Sequence, residues 1–215
     1  GIIMEKFAKR LCSLYDEISN LPKVKIITKE LDDDLKKLKL KNGAKFFSKG
    51  KVALVNAANS KFTPNFNAFS LNSAISRFLL DNNGINRKKS WKKLKSINNS
   101  IYSKRIKISN FKYGIIIHIH GIKAKELENL KLSLEEFESY MFNLYLKAFK
   151  EIERRIPNGN VMLFFFSTNN YAIDAIDNLQ VNFTSKEFVQ RAKLACYKAI
   201  KRYKGNLNII LNAYY

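Results

Sequence analysis

The apolar and polar positions alternate between two periods along this chain. Phe7, Leu11, Leu14, Tyr15 and Ile18 recur at helical spacing, and Pro22 ends that pattern. Val24 to Thr28 reads as a short strand. Asp32 is placed to cap a lysine-rich helix ending near Gly43, and Ala44 to Ser48 fits an outer strand. Lys51 to Ala57 is apolar and β-prone, the pattern of a central strand. Asn67 to Leu80 reads as a helix with Leu71, Ile75, Phe78 and Leu79 on one side, closed by Gly84. A basic, irregular connection follows from Asn86 to Ser100. Tyr102 to Ile108 alternates like a half-exposed strand, and Tyr113 to His120 is β-rich.

The second half is more strongly punctuated. Ser133 with Glu136, and Thr184 with Glu187, are capping boxes that open two helices. The first carries Phe137, Tyr140, Met141, Leu144, Phe149 and Ile152 and stops at Pro157-Asn158-Gly159. The second ends at Gly205. Between them Val161 to Phe166 is an unbroken apolar run, as in a strand buried on both faces, and Leu207 to Leu211 is the last strand. Strands alternating with helices predict an α/β fold of three layers, α/β/α. The first helix, residues 1–22, reads as an extension, and residues 23–215 as one α/β domain. No internal repeat or linker interrupts them.

In open α/β sheets ligands bind beyond the carboxyl ends of the central strands. Those ends read Asn56-Ala57-Ala58-Asn59-Ser60 and Ser167-Thr168-Asn169-Asn170-Tyr171. Both are small and polar, and an asparagine amide can both donate to and accept from ribose hydroxyls. The bland alternative is a polar strand end in any α/β protein. Four pieces in order, "VALVNAANS", "NSAISR", "YGIIIHIHGI" and "VMLFFFSTNNYAID", make the chain from about 24 to 211 resemble the macrodomain family. The resemblance implies a mixed sheet and an ADP-ribose ligand; the basic charge of the chain would separately attract poly(ADP-ribose) or an anionic membrane surface, as it would RNA or DNA. In an ADP-ribose site Asn59 would contact the distal ribose and Asn56 would shape the loop. Ser167, Thr168, Asn169, Asn170 and Tyr171 would wrap the diphosphate. His118 and His120 share one strand face, as two neutral packed histidines or a metal pair.

The chain departs from that family where chemistry is concerned. The interval Lys61 to Phe69 has no glycine, and Phe66 and Phe69 stand where backbone would leave room for diphosphate. Asn72 falls where active members often carry an acid, and an amide is no general base. Glu30 and Asp32 do not reproduce the adenine-contacting acid. The resemblance therefore favours a binding module over an ADP-ribosyl hydrolase.

Charge sharpens that choice. Thirty-nine Lys and Arg face eighteen Asp and Glu, a net +21, and Asn82 to Lys125 holds twelve basic residues and no acid. A lysine-rich, A+T-biased proteome raises Lys everywhere but does not strip the acids from one stretch. Arg87, Lys88, Lys89, Lys92, Lys93, Lys95, Lys104 and Arg105 are the candidate contacts to RNA or DNA. Trp91 and Tyr102 lie among them, to stack on bases or to fill the core. A third option is a scaffold docked on an acidic protein or in a larger ribonucleoprotein. Cys12 and Cys196 form no metal-ligand pattern and read as two buried free thiols, with a single disulfide as the alternative. No cofactor is called for. No apolar run reaches the roughly 20 residues of a membrane span, and no signal peptide pattern opens the chain, so the expected location is intracellular, cytoplasm or nucleus.

Overall fold

The computed structural model describes residues 2–28, 51–68, 70–80, 84–98, 100–111, 114–168 and 183–213. The elements expected around Asp32 and at Ala44 to Ser48 lie outside these residues, as do Glu30, Phe69 and residues 169–182. The fold is α/β. In chain order the described elements are α1 (Ile2–Ser19), β1 (Val24–Ile27), β2 (Val52–Ala57), α2 (Leu71–Leu80), β3 (Leu94–Ser96), β4 (Ile106–Phe111), β5 (Gly114–Ile119), α3 (Glu126–Leu130), α4 (Leu134–Arg155), β6 (Asn160–Phe164), α5 (Ser185–Arg202) and β7 (Asn208–Asn212). Seven strands form one mixed sheet in the order β1-β7-β6-β2-β5-β4-β3. β2 runs parallel to β5 and β6, and β6 to β7, while β4 pairs antiparallel with both β5 and β3. β2 is thus the middle strand, as its apolar run predicts, and its first five residues are buried.

The chain divides into two compact units. One comprises Gly1–Lys25, Gly121–Glu151 and Phe165–Gly205; the other comprises Ile26–His120, Ile152–Phe164 and Asn206–Tyr215. The first unit is helical. Both capping boxes form in it: Ser133 accepts from the Glu136 amide at 3.1 Å, Thr184 accepts from the Glu187 amide at 3.1 Å, and both glutamates return the bond. Phe137 stacks on Phe188 at 4.3 Å between ring centroids. Arg191 and Lys198 converge on Glu138. α1 packs on α5 through Tyr15 against Tyr197 (5.9 Å) and through the Glu17–Lys201 ion pair (2.5 Å). Cys196 is buried here, and burial pushes its thiol well above the ordinary range. Cys12 is exposed, so the pair of buried thiols expected from the sequence is one buried and one exposed, both free.

The second unit carries the sheet. Val52, Leu54, Ile116, Met162 and Phe164 form a core with Leu71, Ala74, Ile75 and Leu79 of α2 and with Ile85 and Trp91. One close approach fixes β5 beside β2. A Cβ on Gly114 would sit 2.0 Å from the Val52 carbonyl oxygen, which is backbone and cannot step aside. Gly114→Ala is expected to lower unfolding stability by about 1–3 kcal/mol, the range for overpacking a tight interior. Urea denaturation measures it.

Four local expectations are corrected. α2 begins at Leu71, not Asn67, because Ser70 accepts from the Ser73 amide (3.2 Å) and so caps the helix there. The strand read over Tyr102 to Ile108 starts at Ile106. Residues 100–105 are a turn in which Ser100 Oγ accepts from the Tyr102 amide (3.1 Å) and Tyr102 O from the Arg105 amide (2.9 Å). The connection around Trp91 contains a strand, β3, and Trp91 itself is buried in the core with 3% exposure, so it offers no face to a base. The apolar run to Phe166 stops being strand at Phe164. Among the described residues no helix is long and apolar enough to cross a membrane.

Candidate nucleic-acid interface

The loop leaving β2 builds itself from its own side chains. Asn59 Oδ1 accepts from the backbone amides of Lys61 (3.0 Å) and Thr63 (3.2 Å), and Asn59 Nδ2 donates to the Thr63 carbonyl (2.9 Å). The Asn59 carbonyl accepts from the Phe62 amide (3.1 Å). This holds Phe62 in the left-handed region (φ 52°), a position usually given to glycine. Farther along, the Asn65 amide donates to Ser76 Oγ, the Asn67 amide to Asn65 Oδ1 and the Ala68 amide to Ser73 Oγ. Arg77 donates to the carbonyls of Phe66 and Ala68. The amides of Lys61, Phe62, Thr63, Asn65, Asn67 and Ala68 are thus bonded within the loop and its helix and do not point out to an anion. Phe66 packs against the core cluster of the sheet.

Beneath that loop runs a line of uncharged side chains. Ser109 on β4, His118 on β5, Asn56 on β2 and Asn72 on α2 are all buried. Asn56 Nδ2 donates to Asn72 Oδ1 (3.0 Å) and lies 3.1 Å from His118 Nδ1, and Asn72 Nδ2 donates to the Thr63 carbonyl (3.1 Å). His118 Nδ1 therefore accepts, and its Nε2–H donates to Ser109 Oγ at 2.9 Å. Burial lowers the His118 pKa to about 3. The imidazole is neutral and also lies against Trp91, 4.7 Å between centroids. His120 follows β5, its Nδ1 3.3 Å from the Ala58 carbonyl. Among the described residues no group of three or more His, Cys, Asp or Glu is placed to hold a metal ion.

Ser167 and Thr168 belong to the helical unit. Ser167 is buried in the left-handed region (φ 61°) and donates from Oγ to the Ile122 carbonyl (2.7 Å). Asn169, Asn170 and Tyr171 lie outside the described residues.

The basic candidates lie on the connection that leads into β3, on β3 itself and in the turn before β4. Residues 84–92 form a narrow hairpin closed by the Ile85–Trp91 bridge, the Asn86 amide to Ser90 O (3.0 Å) and the Lys92 amide to Gly84 O (3.1 Å). Asn86 Oδ1 accepts from the amides of Lys88 (2.9 Å) and Ser90 (3.2 Å) and shapes the tip. Ile85 and Trp91 anchor the stem in the core. The tip is Arg87-Lys88-Lys89, all exposed, with Lys89 in the left-handed region (φ 57°) and its Nζ 5.7 Å from the Phe66 ring. Lys92 and Lys93 follow, and Lys95 is exposed on β3, the edge strand. Lys104 is exposed and Arg105 half-buried in the turn before β4, where Arg105 donates to the His120 carbonyl (3.2 Å). Tyr102 is half-buried. Sequence reasoning missed Lys107, which stands in β4 with its Nζ 4.8 Å from the centre of the Phe62 ring. Its signal was present in the same acid-free stretch.

No family model matches the chain, and no curated protein matches it. Among solved structures, a chain described as "Alphavirus P23pro-zbd" is similar over 89% of this chain, at 17% identity and a TM-score of 0.45. This chain spans 22% of the length of that one.

Proposed function

We propose that this chain is a macrodomain-like, non-enzymatic module that binds RNA or DNA through the basic surface of its sheet-bearing unit. One observation carries the reading: the charge is segregated. The sheet-bearing unit, residues 26–120, 152–164 and 206–215, contains 22 of the 39 basic residues and 6 of the 18 acids, for a net +16 of the chain's +21. The helical unit sets 17 cations against 12 acids. A compositional bias towards lysine would not sort the acids in this way. The hairpin's hydrogen bonds fix the backbone that carries its three exposed cations, so little backbone freedom is lost on binding.

The loop chemistry supports binding without catalysis. No carboxylate occurs from Leu35 to Leu80, Asn72 is tied into the hydrogen-bonded line, and His118 is sealed and neutral. None of these serves as a general base towards a ligand above the loop. The test is fluorescence anisotropy with a 20-nucleotide RNA and the matching DNA over a series of salt concentrations. Affinity is expected to fall linearly on a log–log plot as salt rises. Absent or salt-independent binding would overturn the reading. Calorimetry with millimolar ADP-ribose is expected to show no heat. Saturable heat lost in Asn59→Ala would instead establish an ADP-ribose reader.

A further inference from the structure

Next to the β2 loop, within the sheet-bearing unit, lies a groove of about 630 Å³ lined by Ser60, Phe62, Ser96, Ile97, Asn98, Ser100, Ser103, Lys104 and Lys107. Its chemistry is selective. Five of the nine residues offer a hydroxyl or an amide, two carry a positive charge, and none carries a negative one. Phe62 and Ile97 are almost wholly buried, so they close the floor without exposing much apolar surface. Lys107 is half-buried and held over the Phe62 ring, while Lys104 stands exposed at the rim. Ser100 Oγ already accepts from the Tyr102 amide, which leaves its hydroxyl hydrogen to donate outward.

We infer that this groove is a nucleotide-phosphate subsite, in which Lys104 and Lys107 hold the charge and the serine hydroxyls and Asn98 fix its place. The inference rests on the polyanion reading above and deepens it. A merely electrostatic surface needs cations alone. This one joins two cations to convergent short donors, which fits phosphate oxygens and ribose hydroxyls better than a diffuse polyanion. The volume is that of an ordinary small-ligand pocket and exceeds what a bare phosphate needs, so a nucleotide unit fits.

The decisive variant is the triple Ser60→Ala, Ser96→Ala, Ser103→Ala. These three hydroxyls make no hydrogen bond among the described residues, and the change leaves net charge intact. Affinity is measured for a uridine tetranucleotide with a 5′-phosphate and for the same tetranucleotide with a 5′-hydroxyl, alongside the salt needed to elute each protein from heparin. The expected result is a roughly 10-fold loss of tetranucleotide affinity with unchanged heparin elution. A loss confined to the 5′-phosphorylated ligand assigns the groove to a chain end, and an equal loss assigns it to an internal phosphodiester. Should the triple variant fold poorly, amide resonances of residues 60, 96, 98, 100 and 103 in the unaltered protein are expected to shift first on titration with the tetranucleotide. Unchanged affinity in the folded triple variant, or shifts that bypass these amides, would overturn the groove while leaving the polyanion reading standing. A protein that binds neither heparin nor RNA would overturn both.

Discussion

Replacing Arg87, Lys88 and Lys89 together by glutamate is expected to weaken binding of a 20-nucleotide single-stranded RNA about 100-fold at 50 mM salt. The size follows from the place of the three cations. Each is exposed at the hairpin tip, and a cation close to an anionic surface is worth about 1 kcal/mol, so three give roughly 3 kcal/mol, or about two decades in affinity. The salt dependence supplies a second readout. Single strands release counterions with a slope of about 0.7 per phosphate contacted, so the log–log slope is expected to flatten by about 2. The hairpin itself should survive, because its shape comes from Asn86, Ile85 and Trp91 rather than from the three charged side chains. The control is Lys6, Lys9 and Arg10 on α1, exposed in the helical unit, where the same reversal changes net charge by the same amount. If that triple weakens binding as much, net charge and not the hairpin drives association, and the assignment of the interface fails. Equal affinity of the hairpin variant and the unaltered protein would fail it more directly.

Where the sequence was legible, a local signal and the tertiary environment agreed. Ser133, Glu136, Thr184 and Glu187 mark their helix starts because a capping box is a contact between residues three apart and needs nothing distant. The apolar run Val52 to Val55 announces a central strand because burial on both faces leaves no position for a polar residue. The failures come from the opposite case. β3 is three residues, two of them exposed, and is a strand only because β4 pairs with it. The alternation of Tyr102, Lys104, Ile106 and Ile108 imitates a strand, yet its first half is a turn set by Ser100. α3, at five residues, is too short to show a period. Trp91 sits among lysines in sequence, and nothing local reveals that it points inward against His118.

The candidate site shows the same division. The Asn-Ala-Ala-Asn stretch was visible, and so was the absence of glycine from Lys61 to Phe69. What shapes the loop without glycine was not. Asn59, Asn65, Ser73 and Ser76 bond the loop's own amides, and that requires knowing which side chains the fold returns to the loop. Phe62 accepts a left-handed backbone for the same reason: the strain at one residue, of order 1–3 kcal/mol, is offset by the surrounding bonds and by its buried ring under Lys107. The charge pattern was legible throughout, because acids removed from a stretch of sequence are removed wherever that stretch folds. Lys107 was overlooked although it lies in the same acid-free stretch, inside the segment read as a half-exposed strand.

Acid is expected to destabilise this protein through His118, and that part of the loss should disappear when the imidazole does. His118 is fully buried, and its partners Asn56 and Ser109 are neutral, as is Asn72 beyond them. Lys107 faces it across the β4–β5 ladder and would add only repulsion to a charged ring. Burial lowers its pKa in the folded protein to about 3, against about 6.5 for an exposed histidine. Between those values the unfolded chain binds a proton that the folded one refuses, so stability rises with pH and falls as pH drops below 6.5. A full proton difference is worth about 1.4 kcal/mol per pH unit, which gives a loss of about 3 kcal/mol from pH 8 to pH 4.5. Protonating Nδ1 would also turn an acceptor into a donor against the Asn56 amide, so the hydrogen-bonded line would break where the charge enters. His118→Gln keeps a polar group and removes the titration. It is expected to be less stable than the unaltered protein at pH 8, since a fitted, buried ring is lost. Its own decline to pH 4.5, however, should be about 3 kcal/mol shallower in urea denaturation, so the two curves converge. Parallel curves would show that His118 titrates alike in both states and would remove the sealed, neutral imidazole from this account of the fold.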